Sequence, residues 1–126
     1  MLVTVGSTLF QDLTDVVLQP VFLRTLSSLG YGSMIVQYGS AQLKWTGPDN
    51  ISGITIETKP YISDIDQVFA SSDLIISHAG SGSILSGLRL GKPMIVVPNT
   101  KLMDNHQVEL AEVLQREGYL VMATVE

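Results

Sequence analysis

The chain has 126 residues, no cysteine and a formal net charge of −5. Its length suits one domain with a core of its own, and an apolar share of 45% with only 15% charged residues excludes a disordered chain. The lack of cysteine excludes disulfide frameworks and thiolate metal sites. The scattered Lys and Arg residues leave no basic stripe for nucleic acid. We expect a single domain over residues 1–126 whose apolar surface a partner covers.

No apolar run approaches the roughly 18 residues that a membrane span requires. The first residues, MLVTVGST, lack a basic segment and lead directly into a strand, so we expect no secretory leader. Together these features predict a cytosolic chain.

Short apolar runs predict the strands of a sheet. The strongest runs are continuous rather than alternating, which is typical of parallel strands that are covered on both faces. They are Leu2–Val5, Met34–Val36, Leu74–Ile76 and Met94–Val97. Two weaker runs, Ile51–Ile56 and Leu120–Met122, predict further strands.

Helical periodicity lies between these runs. The first helical region runs from about Thr14 to Leu29, and Pro20 predicts a break there and the start of a second helix. Ser63–Ser71 is predicted to be a short helix. Its inward side chains are predicted to be Ile65, Val68 and Phe69.

Two helices are predicted in the last third of the chain. Ser83–Leu90 is followed by Gly91 as its stop. The buried stripe of this helix is predicted to be Ile84, Leu85 and Leu88. The last helix is predicted to begin near Asp104, which has capping-box spacing to Gln107, and to end near Gly118.

Strands that alternate with helices predict an α/β fold, an open parallel Rossmann-like sheet with helices on both faces and right-handed crossovers. The polar segment Gly39–Ser52 is predicted to be a surface loop. Ligands of such sheets bind beyond the carboxyl ends of the strands. Three loops are predicted to lie there, namely Gly6–Thr8, His78–Ser83 and Pro98–Gln107.

The loop after the central strand has the clearest chemistry. Gly80 and Gly82 allow a sharp turn and a close approach of the backbone to a ligand. Ser81 and Ser83 are able to cap the helix or to donate to phosphate oxygens, and the helix N-terminus favours an anion. An ordinary turn explains the same residues, because the full dinucleotide fingerprint and the P-loop lysine are absent. The loop alone does not decide between a phosphate site and a simple turn.

The other candidate residues also have two interpretations. Gly6-Ser7-Thr8 is either a turn or a second phosphate clamp, and Tyr61-Ile62 is either a base pocket or ordinary packing. His78 is one of two histidines and either contacts phosphate or bonds to a backbone carbonyl. His106 and Gln107 are able to bond sugar hydroxyls, although Gln107 also fits the helix cap.

Catalytic groups are scarce. The sequence has no Ser-His-Asp order at suitable spacing, no metal-ligand cluster and no paired carboxylates near the predicted site. Asp104 is the nearest acid, and a capping role explains it better than catalysis. The chain is therefore predicted to bind a nucleotide-like ligand without the groups to react it alone.

The chain resembles the family of cytosolic donor-binding subunits of the dolichol-linked UDP-N-acetylglucosamine (UDP-GlcNAc) transferase. The similarity is clearest in SHAGSGSILSGLRLGKPMIVVPNTKLMDNHQVELA, and it extends to TVGSTLFQDL at the start and to the strand DLIISHAG. The resemblance covers nearly the whole chain. More distantly, the chain resembles the C-terminal half of MurG, the bacterial transferase that adds N-acetylglucosamine to a lipid-linked sugar.

This resemblance implies the C-terminal half of a GT-B glycosyltransferase that inverts the anomeric carbon and needs neither a metal nor another cofactor. A membrane-anchored partner subunit at the cytosolic face of the endoplasmic reticulum would supply the acceptor-side half and the catalytic base. UDP-GlcNAc would be the donor and a lipid-linked GlcNAc the acceptor. The product would be the chitobiosyl lipid of early N-glycan assembly.

The resemblance also implies roles for individual residues. The donor diphosphate would contact Gly6, Ser7, Thr8, His78, Gly80, Ser81, Gly82 and Ser83. The sugar or ribose would contact Asn105, His106 and Gln107 and the side chain at position 86. The uracil would lie near Tyr61 and Ile62, by analogy with MurG. No catalytic residue is assigned to this chain.

Two departures from the family pattern leave other hypotheses open. Relatives usually carry an acidic residue that holds ribose hydroxyls where this chain has Ser86, five positions before Gly91 of the GKP turn. Relatives also normally continue past Glu126 with a segment thought to help partner docking. A second hypothesis is therefore a non-catalytic nucleotide-binding or regulatory module. A third, a flavodoxin-like or stress-protein nucleotide binder, requires recognition of FMN or ATP, and LMDNHQ argues against it.

Overall fold

A computed structural model gives the fold and describes residues 1–6, 10–41, 50–51, 53–98 and 105–123. The strands are β1 Leu2–Thr4, β2 Ser33–Gln37, β3 Asn50–Ile51, β4 Ile54–Lys59, β5 Ile75–His78, β6 Met94–Val97 and β7 Val121–Met122. The helices are α1 Gln11–Val17, α2 Pro20–Ser28, α3 Ile65–Ser71, α4 Ser81–Arg89 and α5 Asn105–Arg116. Within these residues the strands form one sheet in the order β3-β4-β2-β1-β5-β6-β7.

Parallel pairing joins six of these strands, and β3 alone among them pairs antiparallel, with β4 at one edge. The predicted open parallel sheet with helices is therefore confirmed. The separate edge strand was not predicted, because Asn50 and Ile51 were assigned partly to the polar loop Gly39–Ser52 and partly to the following strand. Two residues are too few for an alternating pattern to reveal a strand.

The sheet has a buried core on each face, because successive side chains of a strand point to opposite sides. Val3 and Ile76 belong to the first core, which α1 and α2 cover with Leu13, Val17, Leu23 and Leu26. Leu2 and Ile75 belong to the second core, which α3, α4 and α5 cover with Phe69, Ile84 and Ala111. Residues buried on both faces explain why the strands appear as continuous apolar runs.

Several predicted boundaries shift by a few residues. Pro20 occupies the start of α2, as predicted, but α1 begins at Gln11 rather than Thr14. The central strand β5 extends to His78, so this residue ends a strand and does not begin a loop. Gly91, with φ of +65°, follows the end of α4 as predicted.

One predicted core residue of α4 is exposed. Leu85 is 45% exposed, whereas Ile84 is fully buried. The inward stripe passes instead through Gly87, where an added Cβ would overlap Sδ of Met94 in β6. Because α4 packs on the sheet through this glycine, the helix is rotated so that Leu85 points to the surface.

None of the helices in the described parts of the chain combines the length and apolarity needed to cross a membrane.

Candidate functional site

The direction in which the chain adds strands reverses between β1 and β5. From β1 the chain continues through β2 and β4 on one side, while β5, β6 and β7 lie on the other side of β1. The helix that follows β1, α1, and the helix that follows β5, α4, cover opposite faces of the sheet. Open α/β sheets bind ligands in the crevice beyond the carboxyl ends of the strands at such a reversal, and these strands are β1 and β5 here. Thr4 pairs with Ser77 in the ladder, so Gly6 and His78 both lie at this edge.

The imidazole of His78 lies between two glycines at this crevice. A Cβ added at Gly6 would come within 3.0 Å of Cε1 of His78, and one added at Gly80 would overlap its Nε2. Gly6 also has φ of +62°, a conformation that side chains rarely adopt. Gly80 has an ordinary extended backbone, with φ of −85° and ψ of 129°. At Gly80, therefore, the packing of His78 and not the backbone conformation requires a glycine.

The buried side of this imidazole is unsatisfied. Nδ1 of His78 is buried and has no hydrogen-bond partner among the residues that the structure describes. Desolvation lowers the pKa of His78 below its ordinary value, and hydrogen bonding of the ring to the Thr4 backbone opposes this shift only in part. The ring is therefore neutral at pH 7. A buried polar atom without a partner costs stability, and such groups occur often where a ligand binds.

The pKa of His78 predicts a pH dependence of folding. The unfolded chain binds a proton below about pH 6.5, while the folded chain resists protonation because its pKa is lowered. The unfolded state then binds more protons, so the free energy of unfolding falls as the pH drops below 6.5 towards the folded pKa. Urea unfolding from pH 7.5 to 5.5 should show this loss in wild type and a smaller loss in His78→Leu.

The amino group of Met1 does not affect the comparison of wild type with His78→Leu. Desolvation lowers its pKa as well, and Asp73 partly opposes the shift. The sign is the same as for His78, but the contribution is present in both proteins. The difference between wild type and variant therefore isolates the histidine. An equal pH slope in the two proteins would contradict the prediction.

The N-terminus of α4 points its backbone N–H groups towards the same region. Gly80 is the N-cap, and no side chain of the described residues caps the helix. Ser83 stands at the third helical position and is therefore not the cap. The first N–H groups of a helix have no partner inside it and carry a partial positive charge. They are available to an anion placed against His78.

Several other residues that were predicted to contact the ligand lie wholly or partly outside the described structure. Ser7 and Thr8 lie outside the described residues, as does the predicted cap Asp104. The backbone of α5 begins at Asn105, so the predicted helix start is confirmed. The side chains of Ser81, Asn105, His106 and Gln107 lie outside what the structure describes. Their contacts with a ligand stay predictions.

Three further predicted residues are described. Ser86 is half-buried on α4, one turn after Ser83. Tyr61 is 76% exposed, while Ile62 is buried in the second core. Packing thus accounts for Ile62 without a ligand, whereas Tyr61 has a surface free for contact. The uracil pocket stays a prediction.

Sequence reasoning missed Gln37, the last residue of β2. Its side chain is buried and hydrogen-bonded to the turn at Gly6. The rule that selected the other loops was the search for polar residues where strands end. The same rule applied to the run Met34–Val36 would have found this residue.

Among the described residues, no group of three His, Asp or Glu side chains is arranged to hold a metal ion. The independence from metals that the resemblance implies stays a prediction.

Comparisons with known proteins decide the family. The model of the glycosyltransferase family 28 C-terminal domain matches residues 1–124. The chain belongs to glycosyltransferase family 28. The UDP-N-acetylglucosamine transferase subunit ALG13 of Cryptococcus neoformans var. neoformans serotype D is 42% identical over 155 residues, covering 100% of this chain and 78% of that protein. The human protein of the same name is 43% identical over 97% of this chain, which corresponds to 11% of the human protein.

Solved structures agree with this family 28 assignment. The solution NMR structure of ALG13 has a TM-score of 0.70 at 29% identity and covers 98% of this chain and 77% of its own. The crystal structure of Acinetobacter baumannii MurG has a TM-score of 0.78 at 23% identity, covering 98% of this chain and 35% of its own. The resemblance to the transferase-subunit family and the predicted GT-B half fold are thereby confirmed.

Proposed function

We propose that this family 28 chain is the UDP-GlcNAc-binding subunit of a two-chain inverting transferase. The complex would add GlcNAc to GlcNAc-diphosphodolichol in early N-glycan assembly. The observation that carries the proposal is His78, a half-buried, neutral imidazole held between Gly6 and Gly80 where the sheet reverses. The relatives are UDP-N-acetylglucosamine transferase subunits by name, which supports the choice of donor.

The chemistry assigned to this chain is the stabilisation of the departing diphosphate. In an inverting transfer the acceptor hydroxyl attacks the anomeric carbon while the bond from that carbon to the UDP oxygen breaks. Negative charge then grows on the diphosphate. Helix N–H groups at the start of α4 and a hydrogen bond from His78 would stabilise this charge without a metal. Both groups are preorganised, because the helix and the glycine packing hold them in place.

The remaining functions are assigned to a partner. The catalytic base and the lipid-linked acceptor would come from a membrane-anchored subunit, which would recruit this cytosolic chain to the endoplasmic reticulum membrane. The assignment of a partner is supported by the relatives, which are named as subunits of a transferase. Two exposed apolar side chains at the β7 edge of the sheet, Tyr119 and Val121, are consistent with a surface that a partner covers.

NMR titration with UDP-GlcNAc tests the proposal, with the chain alone and in complex with the partner. We expect shifts of the amide signals at Gly6 and at Gly80–Ser83. Their absence in both states would refute donor binding. ADP-glucose serves as a control ligand, because it has the same diphosphate but a different base and sugar.

The second function, a regulatory module, is motivated by the half-buried Ser86 where relatives usually carry an acid. It predicts that the complex binds UDP-GlcNAc but transfers no sugar to a lipid-linked GlcNAc acceptor. The variant Ser86→Glu then decides whether this position is responsible. Restored transfer would support a lost ribose contact, and transfer by the unaltered complex would exclude the regulatory hypothesis.

A further inference from the structure

The carboxamide of Gln37 is buried and fully hydrogen-bonded. The residue is 3% exposed. Its Oε1 accepts from Oγ1 of Thr4 at 2.6 Å, from N of Val5 at 3.2 Å and from N of Gly6 at 3.0 Å. Its Nε2 donates to the carbonyl oxygens of Gly6 at 2.7 Å and Pro60 at 2.8 Å. If the amide oxygen and nitrogen were exchanged, the NH₂ group would face the N–H groups of Val5 and Gly6. The network therefore fixes the orientation of the carboxamide.

These bonds reach beyond the ladder of the sheet. The β1 ladder ends at Thr4 and the β4 ladder ends at Lys59, while Gln37 contacts Gly6 and Pro60 in the turns that follow. Backbone pairing therefore holds the strands, and Gln37 holds the turns. The Pro60 carbonyl also accepts from N of Gly39 at 3.1 Å, so three strand ends are tied together.

Gly6 is the residue that this amide holds most firmly. Both its N–H and its carbonyl bond to Gln37, which supports its φ of +62°. The α-carbon of Gly6 in turn lies against the ring of His78. Since the ring lies so close to Gly6, a shift of this turn would change the position of the imidazole.

We propose that Gln37 is a positioning residue that holds the Gly6 turn against His78 and couples it to the turn at Pro60. This inference rests on the proposed donor binding, because it assigns the two turns to one ligand site. Gln37 contacts no ligand itself. It acts by keeping the backbone of Gly6 and the imidazole of His78 at a fixed distance, which reduces the ordering that binding requires.

Two substitutions of Gln37 separate its acceptor from its donors. Gln37→Met keeps the length of the side chain and removes every hydrogen bond. Gln37→Glu keeps the acceptor oxygen but loses the donation to Gly6 and Pro60. Gln67 lies exposed on α3, so Gln67→Met and Gln67→Glu are controls with the same chemical changes.

The measurements use the 126-residue chain in its ligand-free form and then titrated with UDP-GlcNAc, alone and with the partner. In the ligand-free Gln37 variants we expect faster amide exchange at Gly6 and a shifted Cε1–H signal of His78. We expect the UDP-GlcNAc affinity to fall by about tenfold, the loss for roughly one more side chain that binding has to order, in protein that is fully folded by circular dichroism. The Gln67 variants should show neither change.

A merely structural role predicts a different result. The variants would then unfold more easily, but the folded fraction would keep the wild-type His78 signal and affinity, and this outcome would overturn the proposal. If Gln37→Met fails to fold, Gln37→Glu alone tests the proposal, because it loses the donation to the carbonyl oxygens of Gly6 and Pro60 and keeps an acceptor oxygen. Unchanged Gly6 exchange and His78 signal in Gln37→Glu would likewise overturn it. If wild type binds no UDP-GlcNAc, the proposed function fails, while the ligand-free signals still test the positioning.

Discussion

Gly80→Ala should lower the affinity for UDP-GlcNAc by about 10- to 100-fold, the loss expected when one hydrogen bond to a charged group is broken. The added methyl would occupy the space of Nε2 of His78, so the imidazole has to leave its position. The backbone itself accepts alanine, because φ of −85° is ordinary for any residue. The loss should therefore appear in binding, measured by calorimetry, while the free energy of unfolding falls by only about 1 kcal/mol because alanine is a poorer N-cap than glycine.

Gly32→Ala is the matched control for this substitution. Gly32 is exposed just before β2, at the opposite end of the strands, and an added Cβ there meets nothing within 4 Å. Its affinity should equal that of wild type. The Cε1–H signal of His78 should shift in Gly80→Ala and not in the control. A Gly80→Ala protein with the wild-type His78 signal and affinity would contradict the packing argument.

His78→Leu should weaken the binding of UDP-GlcNAc without lowering the stability of the fold. Leucine has a similar volume but no ring nitrogens, so the hydrogen bond to the diphosphate is lost. A hydrogen bond to a charged group contributes about 1.5–3 kcal/mol, which corresponds to about a 10- to 100-fold loss of UDP-GlcNAc affinity. The free energy of unfolding at pH 7 should stay equal or rise by about 1 kcal/mol, because an unsatisfied buried Nδ1 is removed.

Calorimetric titration and urea unfolding of the same samples test this prediction. Lower stability in exchange for binding is common at functional sites, where the arrangement that serves the ligand is not the most stable one. A purely structural histidine predicts the reverse, a less stable protein with wild-type affinity in its folded fraction. The reverse result would refute the binding role of His78.

Much of the fold could be predicted from the local sequence. Continuous apolar runs indicated strands covered on both faces, and Pro20 and Gly91 marked a helix start and a helix end that the structure confirms. These features depend on residues near one another in the chain. The antiparallel edge strand β3 and the exposure of Leu85 were not foreseen, because they depend on the neighbouring strand and on how α4 packs.

The candidate site, like the fold, could be predicted from the sequence only in part. The glycine turns at Gly6 and Gly80 and the neighbouring His78 could be selected from sequence, because polar and glycine residues after apolar runs predict strand ends. The contact of one imidazole with both glycines could not. Gly6 and His78 are distant in sequence, and only the pairing of β1 with β5 brings them together.

The sequence by itself determined the α/β class, the glycine turns and a resemblance to a family that the comparisons then confirmed, since motifs and periodicity are local properties. The tertiary structure alone decided that His78 is held between two glycines with a buried, unpartnered nitrogen. It alone also revealed Gln37 as the amide that joins three strand ends. Such contacts depend on sheet order and register, which bring distant residues together and which no local pattern encodes.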